Sequence, residues 1–292
     1  NFNSLTPEVR QKLALKAVFE ARRSLMYPKF GRVEKLSNRE GDTVKFFNYG
    51  VMSYSTDVAA NTLLPSGEIL ADKLSWEAPL SEYANGIYIL KRDLDMRKDN
   101  TRNGLMKVVG KAMGQTLDYQ VATRMLTQGA AYNASGVAVS GIVATASASE
   151  LNGIAQYLDT HEVGKVTEFV KPEDGYKTTP VRPCYVGLVP ADCKADIMAL
   201  DGFEHSETYR NNGELLDENE FGRIGDIRFV KVPNYLVSRG AGGSSTDVKN
   251  TDGKADVYTI VIIGEDAYGV VPFDANLKRT DEDYEAEIIV TT

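Results

Sequence analysis

The stretch over residues 93–129 constrains this chain more than any other. Leu105, Val108, Val109, Ala112, Met113, Thr116, Leu117, Val121 and Met125 keep a helical period through it. At about 1.5 Å per residue such a helix spans roughly 50 Å, well beyond an ordinary helix of about 11–12 residues. Gly104, Gly110 and Gly114 interrupt it, each at a cost of about 1 kcal/mol relative to Ala. Gly110 and Gly114 are expected to mark the close approach of another backbone; the alternative is that packing elsewhere absorbs the cost, with a bend. Asp93, Asp95 and Asp99 stand where the helix dipole favours carboxylates, and Gly129 is a natural stop.

Two different patterns precede this helix. Residues 6–25 read as an amphipathic helix, with Thr6 as N-cap, Pro7 at the first helical position, and Val9, Leu13, Ala17 and Ala21 on one face. Pro28 and Gly31 end it. It packs either on its own domain or, as an arm, on a neighbour. Over residues 43–90 the chain turns extended. Val44, Phe46, Tyr49 and Val51 mark one strand, a turn falls at Leu63, Leu64, Pro65, Ser66 and Gly67, and residues 69–76 and 81–90 return. A long two-stranded ribbon buries little against itself and is marginal in water. It predicts support from another subunit.

After the long helix, residues 130–145 are small and β-branched and read as a strand with loops. Residues 147–158 read as a short helix, and the polar residues 165–183 as a mobile loop. Strands at 185–189, 227–232 and 258–263, with a helix at 190–200, predict a mixed α/β core. Residues 240–253, rich in Gly, Ser, Thr and Asp, read as an exposed loop.

With 292 residues, 42% of them hydrophobic, the chain can bury one sizeable core or two smaller ones. Its net charge of −8 argues against a surface built to hold nucleic acid, which needs clustered Lys and Arg. Two cysteines, Cys184 and Cys193, form no CxxC pair and read as reduced, packed thiols. No apolar run approaches the ~18 residues of a membrane span, and no signal peptide is visible. The displayed sequence starts at Asn1 and not at Met, which permits trimming of the N-terminus.

The chemistry of enzymes is not visible. His161 and His205 lack ligand-spaced partners, and GxSxG, HExxH and GxxxxGK[ST] do not occur. The GAGGSS run from Gly240 to Ser245 feeds no helix and reads as a flexible loop. Asp252 and Asp256 flank Gly253 without the DxDxDG pattern of a calcium loop. The reading is therefore of no catalytic, metal or cofactor site.

The segment YVGLVPADCKADIMAL, followed by FEHSETYRNNGELLDENEFGRIGDIRFVKVPN, resembles the coliphage N-four type major coat protein family. That family's E-x-G-x-I-G-x-[IV]-R-[FI]-V block falls on Glu220, Gly222, Ile224, Gly225, Ile227, Arg228, Phe229 and Val230. Its GxxAYG turn falls on Gly264, Ala267, Tyr268 and Gly269. Upstream, Gly41, Thr43, Val44 and Phe46 match the G-x-T-V-x-F strand, and Tyr83, Gly86, Tyr88 and Asp93 the entry to the long helix. The resemblance is collinear over about residues 41–271. Two departures stand out: LLPSGEIL replaces a hairpin turn usually rich in Glu and Gly, and the chain stops at IIVTT where the family continues with a strand pair of Gly-Trp-Lys character.

The resemblance implies an α+β capsid fold of the Hong Kong 97 type. Its divisions would be an N-terminal arm (1–42), an extended loop (43–90), a peripheral domain with the spine helix (91–145), an axial domain (146–272) and a return strand (273–292). It implies a major capsid protein of a tailed bacteriophage, assembling with itself as pentamers and hexamers into an icosahedral head. Scaffolding, portal and decoration proteins would be partners, contact with packaged double-stranded DNA would be sequence-independent, and no membrane or cofactor would be involved. Assembly would occur in the host cytoplasm and the product would be the virion shell. The loop tip Leu63–Gly67 would touch a neighbouring subunit. Gly110 and Gly114 would pack closely on the spine, and Gly222, Ile224, Gly225, Arg228, Phe229, Gly264 and Tyr268 would hold the fold. Lys73, on the extended loop, lacks a matching acceptor motif for the covalent cross-link some relatives make. Rival readings are an encapsulin-like shell enclosing protein cargo, an α/β hydrolase or transferase without a recognisable motif, and a phage tail or decoration protein.

Overall fold

The structure is a computed structural model. It describes residues 17, 19–21, 24–33, 43–49, 73–82, 101–170, 178–209, 217–246, 249–271, 277–279, 284–286 and 289–291. The chain forms two compact units, one of Asn1–Arg32 with Asn85–Tyr268, the other of Val33–Ala84 with Gly269–Thr292.

In chain order the first elements are strands β1 (Arg32–Val33), β2 (Thr43–Tyr49) and β3 (Lys73–Glu82), then helices α1 (Thr101–Gln128) and α2 (Ala148–Thr160). There follow β4 (Val166–Val170), β5 (Thr178–Pro190), α3 (Lys194–Met198), β6 (Glu204–His205), α4 (Ser206–Tyr209), β7 (Glu220–Ile224) and β8 (Ile227–Val232). Short strands complete the chain: β9 (Val237–Ser238), β10 (Asn250–Thr251), β11 (Lys254–Ala255), β12 (Val257–Tyr258), β13 (Val261–Ile263), β14 (Gly269–Val270), β15 (Leu277–Arg279), β16 (Tyr284–Ala286) and β17 (Ile289–Thr291).

The larger unit is organised by β5. Its second half runs parallel to β8, from Tyr185 beside Ile227 to Pro190 beside Val232, while β13 pairs antiparallel on its other edge. The sheet order is β13-β5-β8-β7-β6, with β4 paired to the first half of β5. Side chains alternate across a strand, and here both faces are covered. Cys184, Val186 and Leu188 of β5 join Val230 and Val232 of β8, Val121 and Ala122 of α1, and Tyr27 in one core cluster. Tyr185 and Val189 join Ile227 and Phe229, Leu151 and Ala155 of α2, and Ile197 of α3 in the other. Burial on both faces is why these strands read as nearly unbroken apolar runs.

The ends of α2 are set locally. Ser147 accepts a hydrogen bond from the Glu150 N–H, and the Glu150 carboxylate accepts one from the Ser147 N–H, which makes a capping box. β7 and β8 are joined by Gly225 and Asp226 alone, and Gly225 has φ +57°, a value that suits glycine at the first position of a two-residue turn.

In the smaller unit, β2 and β3 pair antiparallel in unbroken register from Thr43 beside Pro79 to Tyr49 beside Lys73. β17 joins the same strand, Ile289 beside Glu82 and Thr291 beside Leu80. Three strands replace the two of the sequence reading. Val44 is buried and Lys45 pairs with Glu77 at 2.6 Å on the exposed face.

Several expectations are corrected. Residues 130–145 form no strand but two 3-10 turns, Ala134–Gly136 and Val139–Gly141, because Gly136 and Gly141 break the β-branched alternation and no strand among the described residues pairs with them. Within the polar segment 165–183, where a loop was expected, β4 and the start of β5 are strand; residues 171–177 lie outside the described residues. The helix read over 190–200 is a 3-10 turn, Ala191–Cys193, leading into the short α3. The strand read over 258–263 is divided between β12 and β13, which pair with different partners. The run from Gly240 to Ser245 is pinned by its backbone: the Gly242 N–H donates to Ala255 O, the Gly243 N–H to Ile142 O and the Ser245 N–H to Gly253 O.

Candidate functional site

The described part of α1 carries a groove for the segment that precedes it. Ala17, Phe19, Glu20, Ala21 and Ser24 are helical, and the segment lies against the two glycines. A Cβ on Gly110 would stand 2.3 Å from Ala17 O, and one on Gly114 2.5 Å from Ala21 O. Gly104, by contrast, faces open space. Only a residue without a side chain admits a backbone this close.

One turn further along α1, Asp118 holds the end of the same segment. The N–H groups of Met26 and Tyr27 both donate to Asp118 Oδ1, each at 2.8 Å. These are the orphan donors at the start of the 3-10 turn Tyr27–Phe30, so the carboxylate serves as a cap supplied from a distant helix. Asp118 is fully buried, and among the described residues neither its Oδ2 nor the Tyr235 hydroxyl finds a hydrogen-bond partner. Burial pushes the Asp118 carboxyl up to about 6 against the pull of the two N–H groups and Lys29. Tyr27 and Tyr119 both pack on the ring of Tyr235, at centroid distances of 6.1 and 6.0 Å. The Tyr268 hydroxyl donates to Tyr27 O, and the Arg32 N–H donates to Tyr268 O at 2.9 Å. The sequence reading passed over Asp118 and Tyr27. The available signal was an acid on the apolar face of a helix, one turn from Gly114 and three residues before Val121.

The motif block lies on β7 and β8. Arg228 and Glu220, both buried, face each other at 3.8 Å, and the Tyr209 hydroxyl donates to Glu220 Oε1 at 2.5 Å. The Arg228 guanidinium lies 5.5 Å from the Tyr209 ring centroid. Burial and the Glu220 carboxylate push the Tyr209 phenol well above its ordinary range. Ile224 and Phe229 lie in the core, and Gly222 admits Phe203: a Cβ there would meet its Cζ at 2.1 Å. A Cβ on Gly264 would meet Gly164 O at 2.6 Å. At the turn, Lys165 bridges Asp159 at 3.0 Å and Asp226 at 2.7 Å, and the Tyr185 hydroxyl donates to Asp159 Oδ1.

The remaining sequence candidates are not brought together. Burial raises the thiols of Cys184 and Cys193 to about 11, and both are free. The His161 ring lies tilted against Tyr157, and His205 meets Phe203 edge to face. Asp256 accepts from the Gly240 N–H at 2.7 Å. Among the described residues no group of three His, Cys, Asp or Glu is placed to hold a metal, and no helix is long and apolar enough to cross a membrane. Leu63, Leu64, Pro65, Ser66 and Gly67, with Tyr83, Gly86, Tyr88 and Asp93, lie outside the described residues.

No family model matches the chain, and no curated protein matches it. Solved structures do. The chain is similar to the capsid of Ralstonia phage GP4, with a TM-score of 0.58 at 14% identity, covering 94% of this chain and 83% of that one. It is similar to the chain in the cyanophage Pam1 capsid asymmetric unit, with a TM-score of 0.54 at 12% identity over 93% and 87%. The capsid structure of the cyanophage P-SCSP1u gives 0.51 at 16% identity over 91% and 82%. With a mixed helix-and-sheet architecture matched almost end to end, this chain has the α+β fold of phage capsid proteins.

Proposed function

We propose that the chain is the major capsid protein of a tailed bacteriophage, a shell subunit with no catalytic role. The observation that carries this reading is the coverage: three capsid structures match over 91–94% of the chain. The collinear sequence blocks support it independently of the coordinates. In this reading the fold is of the Hong Kong 97 type. Residues 1–42 are the arm, 43–90 the extended loop lying on an adjacent subunit with its tip at Leu63–Gly67, 91–145 the peripheral domain, 146–272 the axial domain and 273–292 the return strand. Copies form pentamers and hexamers that close into an icosahedral head in the host cytoplasm. Closed symmetry satisfies every such contact at once, so individually weak contacts suffice. Scaffolding, portal and decoration proteins are the expected partners. The net charge of −8 makes contact with packaged double-stranded DNA weak and sequence-blind. Gly110 and Gly114 seat the arm on the spine helix, and the motif residues Gly222, Ile224, Gly225, Arg228, Phe229, Gly264 and Tyr268 act structurally.

Negative-stain electron microscopy of the expressed protein, alone and with neighbouring phage proteins, tests the reading. Closed shells, or pentamers and hexamers, are expected. A uniform monomer or dimer under every condition would sink it.

A further inference from the structure

The contact between the N-terminal segment and α1 changes character along its length. Over Ala17 and Ala21 it is backbone lying against Gly110 and Gly114, with Lys107 4.0 Å from Glu20 beside it, both partly exposed. At its far end it becomes a buried carboxylate. Asp118 accepts both the Met26 and the Tyr27 N–H groups through Oδ1, and its Oδ2 has no partner among the described residues. What surrounds that carboxylate is mostly neutral. Tyr27 of the 3-10 turn, Tyr235 after β8 and Tyr268 before β14 all sense its charge, and burial pushes their phenols up, Tyr235 to about 12 and the other two further. None of them ionises where a carboxyl does. Lys29, the cation that acts on Asp118, is already paired with Asp217 at 2.9 Å. A carboxylate held wholly out of water without a countercharge of its own favours the neutral acid.

We propose that the proton on Asp118 is a latch for the N-terminal segment: with the proton in place the segment stays seated on α1, and loss of the proton favours its release as a local opening, short of unfolding the sheet. Release takes Met26 and Tyr27 away from the carboxylate and lets water reach it. There it titrates at its ordinary 3.8, against about 6 when the segment is seated. A group whose pKa is raised in the seated state strengthens seating fully below 3.8, and that strength is lost as the pH rises through about 6. The two values put the fall in the ratio of seated to released segment at about tenfold between pH 5 and pH 8. Release also withdraws Tyr27 from the core cluster it shares with Val121 and Val186, so the released form is a minor one at every pH. The ladder of β5 with β8 is made without the segment and outlasts its release. Local openings of this kind are read by amide exchange. The device belongs to the single chain and operates whatever the chain builds.

The test is amide hydrogen exchange on the full chain, held in one assembly state from pH 5 to pH 8 and corrected for the intrinsic pH dependence of exchange. The Met26 and Tyr27 amides are expected to be less protected than those of β5 and β8, and to lose about tenfold in protection across that range. Asp118→Asn keeps an accepting oxygen and cannot ionise, so its Met26 and Tyr27 protection is expected to stay flat. Opening of Met26 and Tyr27 only together with the β5 and β8 amides, at every pH, would overturn the latch. So would an equal pH dependence in wild type and Asp118→Asn. If the variant does not fold, the Asp118 carboxyl carbon followed by NMR in the wild type decides. Titration near 6 in step with the loss of protection is expected, and titration near 3.8 would overturn the proposal.

Discussion

Replacing Asp118 with Asn isolates the cost of burying a charge on the spine helix. The folded carboxyl titrates at about 6 and an unfolded one at 3.8, so over the pH range between them the folded state binds more protons than the unfolded state. Stability from this group is therefore complete below about 3.8 and is lost as the pH rises through about 6. Two pH units at about 1.4 kcal/mol each make the loss about 3 kcal/mol above pH 7. Asn keeps an oxygen for the Met26 and Tyr27 N–H groups and carries no charge. Urea unfolding of unassembled subunits should show Asp118→Asn gaining on the wild type by about 2–3 kcal/mol between pH 4 and pH 8. Asp118→Ala behaves oppositely: it strands the buried Tyr27 N–H, at about 1–3 kcal/mol, and the partly buried Met26 N–H, at every pH. A difference between Asn and wild type that stays constant from pH 4 to pH 8 would refute the reasoning, because the buried carboxylate would then be compensated by a countercharge.

Gly114→Ala should lower the melting temperature despite Ala's better helix propensity, since its Cβ would meet Ala21 O at 2.5 Å; Gly104→Ala, with open space around it, should raise stability by up to about 1 kcal/mol. Glu220→Leu removes the acceptor of the Tyr209 hydroxyl and the countercharge of buried Arg228, and urea midpoints should show a loss of about 3–5 kcal/mol. Ser147→Ala dissolves the capping box of α2 and should cost about 1 kcal/mol, read from the same midpoints.

Where local pattern and burial agreed, the sequence was a good guide. β8 occupies residues 227–232 as read, α1 ends one residue before Gly129, and α2 starts at the Ser147 cap. Where the structure depends on distant pairing, it was not. β4 and the first half of β5 contain Pro180 and Pro183 and polar side chains, which argue for a loop; among the described residues they form a ladder with each other, off the main strand order of the sheet. Residues 137–143 alternate like a strand, yet among the described residues no strand pairs with them, and glycine-bounded turns take over. At α1, the glycines were visible as costs in a helix, but what they admit comes from about 90 residues away. Asp118 was hidden for the same reason: its partners, Met26 and Tyr27, are 92 and 91 residues distant.

The placement of β17 beside β3 has a consequence for synthesis. The smaller unit is begun by residues 33–84 and finished by residues 269–292, with 184 residues (85 to 268) of the other unit between. At about 5–20 residues per second, a ribosome takes roughly 10–40 s over that interval. Throughout it, the Leu80–Glu82 edge of β3 is without the strand that covers it in the finished chain, a short stretch of open backbone donors and acceptors of the kind that recruits stray strands. Chains abandoned part-way would carry that open edge permanently.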